Sequence, residues 1–337
     1  MASYTIRGRR DRGVAPKSAW AMLRQQQQQQ QQQSSSSSSS TRLPLHLANH
    51  PSFPLHLGVN ALAGPAGSGK TQLCLSLVAD CVLWRKQKAV FVSLGKDTTV
   101  RISQRLHSML KHRTFKENRV TPDLNNSDMD KFIKQEYLTK IFVNWVRNQD
   151  DLFHMLCYGL PKLLKEQQDG IHDASSNSSS RISLVVLDGI ATLFRQKEKG
   201  QSWVDRSAHF FQIASICQRL SHEHQVPFVF TNEATCKLSN SDSSIGGLLA
   251  SSQLEPALGL SWAQCINSSY FVQKQQGYDH HQSSNNNSYN NSNNNNNNNN
   301  KDNNKRVLKC IKSPHMDTNV KAEFAIEQRG IVRIIQS

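Results

Sequence analysis

The sequence predicts an α/β fold in which helices cover both faces of a mainly parallel, twisted sheet. Three observations support this prediction. Short apolar β runs alternate with segments of helical periodicity between residues 59 and 231. A glycine-rich segment, residues 64–69, joins the first predicted strand to the first predicted helix. From residue 262 onward only short β runs follow, which predicts a C-terminal β-hairpin region.

The elements follow from the spacing of apolar residues. The buried run at 59–63 is the first strand, and a helix at 69–84 follows because Leu73, Leu77 and Cys81 recur at helical spacing. Cys74 and Cys81 are then core residues rather than ligands. Further strands are predicted at 89–94, 140–145, 182–187 and 227–231, and helices at 99–111, 150–165 with a break at Pro161, and 207–224. Closing strands are predicted at 262–273, 307–312, 322–326 and 332–335.

Low-complexity tracts set the predicted organisation of the 337 residues. Residues 25–33 are all Gln, residues 34–40 are all Ser, and residues 283–304 are nearly all Asn and Ser. Such tracts bury no apolar surface and do not offset the entropy of ordering. We therefore expect a disordered basic arm at 1–50 and one folded core at 51–337. Within that core we expect a Ser-rich loop at 171–180 and a disordered Asn-rich insertion at 279–304.

Composition narrows the function classes. Lys and Arg number 40 against 25 Asp and Glu, a net charge of +15. This charge suits a polyanionic partner, either nucleic acid or a phosphorylated ligand, although a solubilising surface charge is the alternative. No apolar run approaches the roughly 18 residues of a membrane span. The seven scattered cysteines include no CxxC pair, which argues against a zinc site and for a reducing compartment.

One complete phosphate-binding motif follows the first strand. It matches GxxxxGK[ST] and comprises Gly64, Pro65, Ala66, Gly67, Ser68, Gly69, Lys70 and Thr71. The glycines let backbone N–H groups approach phosphates, Lys70 supplies positive charge, and the Thr71 hydroxyl is a ligand for Mg²⁺. Asp188, which ends an apolar β run, would hold the magnesium water shell opposite Thr71. The sequence therefore predicts a P-loop NTPase core that binds ATP and Mg²⁺.

Further segments resemble the RecA-like recombinases, and specifically their eukaryotic paralogues. Residues 188–195 are similar to the second nucleotide motif of that family and its continuation into the first DNA loop. Residues 228–232 resemble the strand that ends in a γ-phosphate sensor, residues 256–263 resemble a paralogue signature, and residues 313–331 resemble the C-terminal strands. The resemblance implies a RecA-like core, homologous-recombination DNA repair and a nuclear location. An Arg-rich start leaves the mitochondrion as the alternative.

Two positions depart from the family pattern. Active recombinases carry a glutamate after the second strand, where this chain has Gly95 and Lys96, with Asp97 one residue late as a substitute base. Glu233 replaces the glutamine that usually follows Asn232, and an ionised glutamate repels a phosphate. We therefore expect intact nucleotide binding and a weak DNA-dependent ATPase. Misalignment around Gly95 is the alternative explanation.

The resemblance also implies two loops that face single-stranded DNA. By position these are 195–203 and 233–253, and the candidate DNA contacts are Arg195, Lys197, Lys199, Trp203 and Lys237. Cations that follow the phosphates and an aromatic ring that stacks on a base would bind DNA without sequence preference. A solvated polar loop is the alternative.

These inferences predict a recombinase paralogue that binds ATP and assists recombinase assembly on single-stranded DNA in double-strand break repair. Its expected partners are single-stranded or branched DNA, other RecA-like paralogue subunits and the main recombinase. The alternative is a self-assembling DNA-dependent ATPase that performs strand exchange itself. A kinase or helicase is disfavoured because the chain has no recognisable lid or helicase motif.

Overall fold

A computed structural model describes residues 53–116, 126–169, 181–195, 202–237, 253–275, 305–318 and 320–333. The predicted basic arm at 1–50, the Ser-rich loop at 171–180 and the Asn-rich insertion at 279–304 lie outside these ranges. The division into an arm and a core therefore stays a prediction. Among the described residues, no helix is both long enough and apolar enough to cross a membrane.

The described residues form ten strands and eight α-helices. The strands are β1 (Val59–Gly64), β2 (Lys88–Leu94), β3 (Ile141–Val146), β4 (Ile182–Asp188), β5 (Phe228–Lys237), β6 (Gln253–Pro256), β7 (Ser268–Lys274), β8 (Lys305–Lys312), β9 (Lys321–Glu327) and β10 (Gly330–Arg333). The helices are α1 (Lys70–Trp84), α2 (Thr99–Lys116), α3 (Asn126–Glu136), α4 (Gln149–His154), α5 (Leu160–Asp169), α6 (Ile190–Arg195), α7 (Trp203–His224) and α8 (Gly259–Cys265).

The predicted sheet is confirmed. Its strand order is β10-β9-β8-β7-β1-β5-β4-β2-β3, with β6 paired to β5 beside this path. All neighbours from β7 to β3 run parallel, whereas β7, β8, β9 and β10 form antiparallel pairs. The carboxyl ends of parallel strands meet at one edge of a sheet. Gly64, Leu94, Asp188 and Glu233 therefore lie at the same edge, because they end the parallel segments of β1, β2, β4 and β5.

Helices cover both faces of the sheet, as the alternation of elements predicts. On one face α1, α2 and α3 pack on side chains such as Leu62, Phe91 and Val186. On the other face α4, α5, α6, α7 and α8 pack on residues that include Val92 and Leu187. Alternate residues of one strand point to opposite faces, so each strand serves both cores. Cys74 and Cys81 are buried in the first core, as expected.

One local prediction needs correction, and one helix was not predicted. Residues 262–265 were predicted to be strand but lie in α8, because Leu258, Trp262 and Cys265 are buried at helical spacing, and only residues 268–274 are strand. Helix α3 is an element that the apolar pattern does not reveal, since it anchors on the core through Met129 and Ile133, which are buried, and Phe132, which is partly buried.

The break expected at Pro161 is a π-helical turn over Met155–Gly159 that precedes it. Proline has no N–H group and its ring clashes with the carbonyl four residues earlier. The regular helical hydrogen-bond pattern therefore changes before Pro161, and the π-helical turn leads directly into α5.

Candidate functional site

The glycine-rich loop wraps between β1 and the first turn of α1. Gly67 and Gly69 have φ angles of 69° and 105°, a left-handed region that favours glycine. A Cβ on Gly69 would lie 2.6 Å from the Cδ1 atom of Ile326 in β9. Glycine at positions 67 and 69 therefore suits the backbone conformation of the loop, and at position 69 it also leaves room for the Ile326 side chain.

Lys70 is the first residue of α1 and its side chain folds back over the loop. The Nζ atom donates hydrogen bonds to the carbonyl oxygens of Gly64 and Pro65, both at 2.8 Å. Burial lowers the pKa of Lys70 from its ordinary value, and the Asp188 carboxylate opposes that shift. The ammonium group is held at the mouth of the loop, where a phosphate oxygen could replace the two carbonyls.

Thr71, Asp188 and Thr231 form one hydrogen-bonded cluster beside the loop. The Thr71 hydroxyl donates to the carboxylate of Asp188, at 2.9 Å from the nearer oxygen. The Thr231 hydroxyl donates to Asp188 Oδ1 at 2.6 Å and accepts from the Gly189 N–H at 2.7 Å. Burial raises the pKa of Asp188 above its ordinary value, and the hydrogen bonds from the two threonines oppose the rise. The structure thus brings Thr71 and Asp188 together.

Thr231 was missed by the sequence interpretation. The sequence signal that could have indicated Thr231 is a polar residue at the carboxyl end of an apolar β run. The β4–β5 register pairs Leu187 with Phe230, so Thr231 stands next to Asp188. Sheet register is a long-range property, and the composition of β5 alone does not give it.

Two buried polar groups fit a bound nucleotide. The Ser68 hydroxyl and both polar atoms of the Asn232 amide are buried, and neither side chain has a hydrogen-bond partner among the described residues. Buried polar groups normally have partners. Asn232 pairs in register with Ala63, one residue before the loop begins. The donor and acceptor set therefore suits a phosphorylated ligand, with Lys70 supplying the positive charge.

A general base at the end of β2 is disfavoured by packing. Gly95 has a φ of 81°, and a Cβ there would lie 2.6 Å from the Thr192 hydroxyl oxygen. That hydroxyl is 2.8 Å from the Leu94 carbonyl oxygen and 2.6 Å from that of Gly189. The turn after β2 therefore excludes a side chain at position 95 in this arrangement.

Asp97 is exposed and stabilises the start of α2. Its Oδ1 atom accepts hydrogen bonds from the Thr99 N–H at 3.1 Å and from the Thr99 hydroxyl at 2.7 Å. These bonds lower the pKa of Asp97. A lower pKa makes a carboxylate a weaker proton acceptor, so the local contacts favour a capping role over that of a substitute base.

The candidate DNA contacts are described in part. Arg195 ends α6 and contacts the Glu233 carboxylate, so the two predicted positions are joined in one ion pair. Trp203 begins α7 and is 68% exposed, with the Arg206 guanidinium 5.5 Å from its ring centroid. Lys197 and Lys199 lie outside the described residues. The backbone of Lys237 ends β5.

The turn between β9 and β10 is fastened to α1 and α2. Arg105 donates to the carbonyl oxygens of Gln328 and Glu327 and, at 3.0 Å, to the side chain of Gln72. Arg113 donates to the Arg329 carbonyl at 2.7 Å and pairs with Asp80 at 2.5 Å, and both side chains are largely buried. These contacts hold the hairpin that brings Ile326 against the phosphate loop.

Known proteins similar to this chain are DNA repair proteins. An Arabidopsis thaliana protein named DNA repair protein XRCC3 homolog is 29% identical over 235 residues, which cover 64% of this chain and 69% of that protein. The Bos taurus DNA repair protein RAD51 homolog 4 is 27% identical, covering 61% of this chain and 52% of that protein. The Mus musculus DNA repair protein XRCC3 is 26% identical, with coverage of 64% and 57%. No protein-family model matches the chain.

These similarities confirm the resemblance to the eukaryotic paralogues of the RecA-like recombinases, and with it the RecA-like core. The chain spans little more than half the length of the two mammalian relatives. Within the paralogues, residues 141–161 and 259–271 favour a resemblance to the third X-ray-repair cross-complementing protein. The paralogue known as the C member is the runner-up, because residues 188–195 and 312–314 resemble it equally. Two of the three relatives above carry the XRCC3 name.

Proposed function

We propose that this chain, similar to the RecA-like recombinase paralogues, binds ATP and assists recombinase assembly on single-stranded DNA during double-strand break repair. The observation that carries this proposal is a complete phosphate loop beside the Thr71–Asp188–Thr231 cluster, at a sheet edge that has no side chain at position 95. The residues that would hold a nucleotide are therefore present, whereas position 95 carries no side chain that could act as a general base. Nuclear location follows from this repair role.

ATP binding assigns a role to each group of the site. The loop from Gly64 to Gly69 would hold phosphates by backbone N–H groups, and Lys70 would exchange two carbonyl partners for phosphate oxygens. Bound Mg²⁺ would neutralise phosphate charge, and Thr71 and Asp188 are its candidate ligands in the inner and outer shells. A cation would also relieve the cost of keeping the buried Asp188 ionised.

Weak hydrolysis follows from the surroundings of β2. An attacking water needs a proton acceptor within hydrogen-bond reach. Gly95 supplies none, and the Asp97 carboxylate is engaged at the start of α2. We therefore propose that ATP acts mainly as a bound assembly signal, with turnover that is low and weakly coupled to DNA. Arg195 and Trp203 would contribute phosphate and base contacts.

The assembly role can be tested with the main recombinase of the same cell. Nucleation of its filament on fluorescent single-stranded DNA is measured with the full chain and ATP, and with Lys70→Ala. We expect the wild-type chain to increase the nucleation rate and Lys70→Ala to abolish the increase. The matched control is Lys131→Ala, which removes a 71% exposed lysine of α3 and should behave as wild type.

Two results would overturn the proposed role. A nucleation rate that the chain leaves unchanged would remove the assembly function. Strand exchange by the chain in the absence of the main recombinase would instead favour the self-assembling enzyme, and with it a catalytic base that the end of β2 does not provide.

A further inference from the structure

One ion pair joins Arg195 and Glu233, which are 38 residues apart in the sequence. Arg195 is the last residue of α6, and Glu233 ends the part of β5 that pairs with β1. The guanidinium of Arg195 contacts the carboxylate of Glu233 directly, and the two side chains are 59% and 35% exposed. The pair lies within reach of solvent, so another anion can compete for the guanidinium.

Glu233 is fixed beside the phosphate loop by its backbone. It is the register partner of Gly64, the first residue of the loop. Its carbonyl oxygen accepts a hydrogen bond from the Ala257 N–H at 2.7 Å, where β5 continues into its pairing with β6. The backbone of Glu233 is therefore held by β1 on one side and by Ala257 on the other. The carboxylate of Glu233 can then keep the Arg195 guanidinium in a defined position.

We propose that Glu233 withholds Arg195 from single-stranded DNA and so sets the DNA affinity of the chain. The inference rests on the DNA-binding part of the proposed function. A carboxylate and a phosphate offer a guanidinium the same arrangement of acceptor oxygens, so one excludes the other. Glu233 touches no DNA in this scheme. It is a positioning residue, and Arg195 binds a phosphate only after leaving it.

The scheme predicts both a size and a salt dependence. An exposed ion pair contributes up to about 1 kcal/mol, which corresponds to about a fivefold change in an equilibrium constant. Glu233→Gln keeps the shape of the side chain and removes its charge. It should tighten DNA binding about two- to fivefold. Because Arg195 stays paired with Glu233 in the wild type, its release in Glu233→Gln adds one phosphate contact. That contact should steepen the slope of log Kd against log salt by about 0.7 for single strands.

The experiment measures anisotropy of a fluorescent oligo-dT with the full chain, without nucleotide, over a salt series. The matched control is Glu223→Gln, which makes the same charge change on an exposed glutamate of α7 that pairs with Arg219. We expect Glu233→Gln to bind more tightly than Glu223→Gln and to show the steeper slope. In an Arg195→Ala background, Glu233→Gln should have no effect beyond that of the control.

The experiment distinguishes failure of the ion-pair proposal from failure of the proposed DNA binding. If Glu233→Gln and Glu223→Gln bind DNA equally, or if the gain persists in the Arg195→Ala background, the ion-pair proposal is overturned while DNA binding stands. If neither the wild type nor Glu233→Gln binds DNA, the DNA-binding part of the proposed function fails together with the inference. Thermal melting of each variant establishes that it is folded.

Discussion

Replacing Thr231 by valine tests the cluster around Asp188. The substitution keeps the branched shape but removes the hydroxyl that is 2.6 Å from Asp188 Oδ1 and 2.7 Å from the Gly189 nitrogen. A hydrogen bond to a charged group contributes about 1.5–3 kcal/mol and a neutral one about 1 kcal/mol. The free energy of unfolding should therefore fall by about 2–4 kcal/mol. For a domain of this size the melting temperature should fall by about 4–16 °C.

The same substitution should alter nucleotide binding. The Thr231 hydrogen bond is one of the contacts that oppose the rise in the pKa of Asp188, so its loss raises that pKa further. Magnesium-dependent binding of the nucleotide needs the ionised Asp188 carboxylate. As the pH falls, this binding should therefore begin to weaken at a higher pH in Thr231→Val than in the wild type. The assays are urea unfolding and titration of a fluorescent nucleotide with Mg²⁺ between pH 5 and 8.

A control of the same chemistry is available at an exposed site. Thr139 lies in a short 3₁₀ turn, and its hydroxyl donates to the Gln135 carbonyl at 2.8 Å. Thr139→Val should change stability by no more than about 0.5 kcal/mol. If Thr231→Val unfolds like Thr139→Val and keeps the wild-type pH profile of nucleotide binding, the assignment of Thr231 to the site is refuted.

Three further variants carry predictions. Asp188→Asn should leave the nucleotide-free protein at least as stable as the wild type at pH 7. Burial raises the pKa of Asp188 in the folded state, so the wild type loses free energy of unfolding as the pH rises from about 4 through that pKa, and the variant has no such loss. The same variant should lose the rise in melting temperature that Mg²⁺ and ATP give the wild type. Arg113→Ala should lower the free energy of unfolding by about 3–5 kcal/mol in urea, because it removes a largely buried guanidinium that pairs with Asp80 and donates to the Arg329 carbonyl. His315→Ala should raise the pKa of His56 in an NMR titration, since burial and then the neighbouring His315 ring hold that pKa below its ordinary value.

The predictable part of the fold and site is the part encoded locally. The phosphate loop is recognisable because glycine is needed at positions such as 67 and 69, and because a strand and a helix flank it. The sheet is predictable because the parallel strands β1, β2 and β4 are buried along almost their whole length and appear as short apolar runs. Asp188 follows such a run directly.

The parts that sequence reasoning missed depend on contacts between distant segments. Thr231 joins the site through the β4–β5 register, and Glu233 in β5 meets Arg195 at the end of helix α6. Residues 262–265 were predicted as strand but lie in α8, where the Trp262 ring packs against Phe210 and Phe230. Local propensity gave way there to tertiary packing.

The most direct test of nucleotide binding without efficient hydrolysis compares the wild-type chain with Lys70→Ala. Equilibrium binding of a fluorescent nucleotide is measured together with ATP turnover, with and without single-stranded DNA. The account predicts binding that depends on Lys70 and turnover that stays at background when DNA is added. Many-fold stimulation of Lys70-dependent turnover by DNA would contradict it, because Asp97 would then become the candidate base and a filament-forming enzyme the better description.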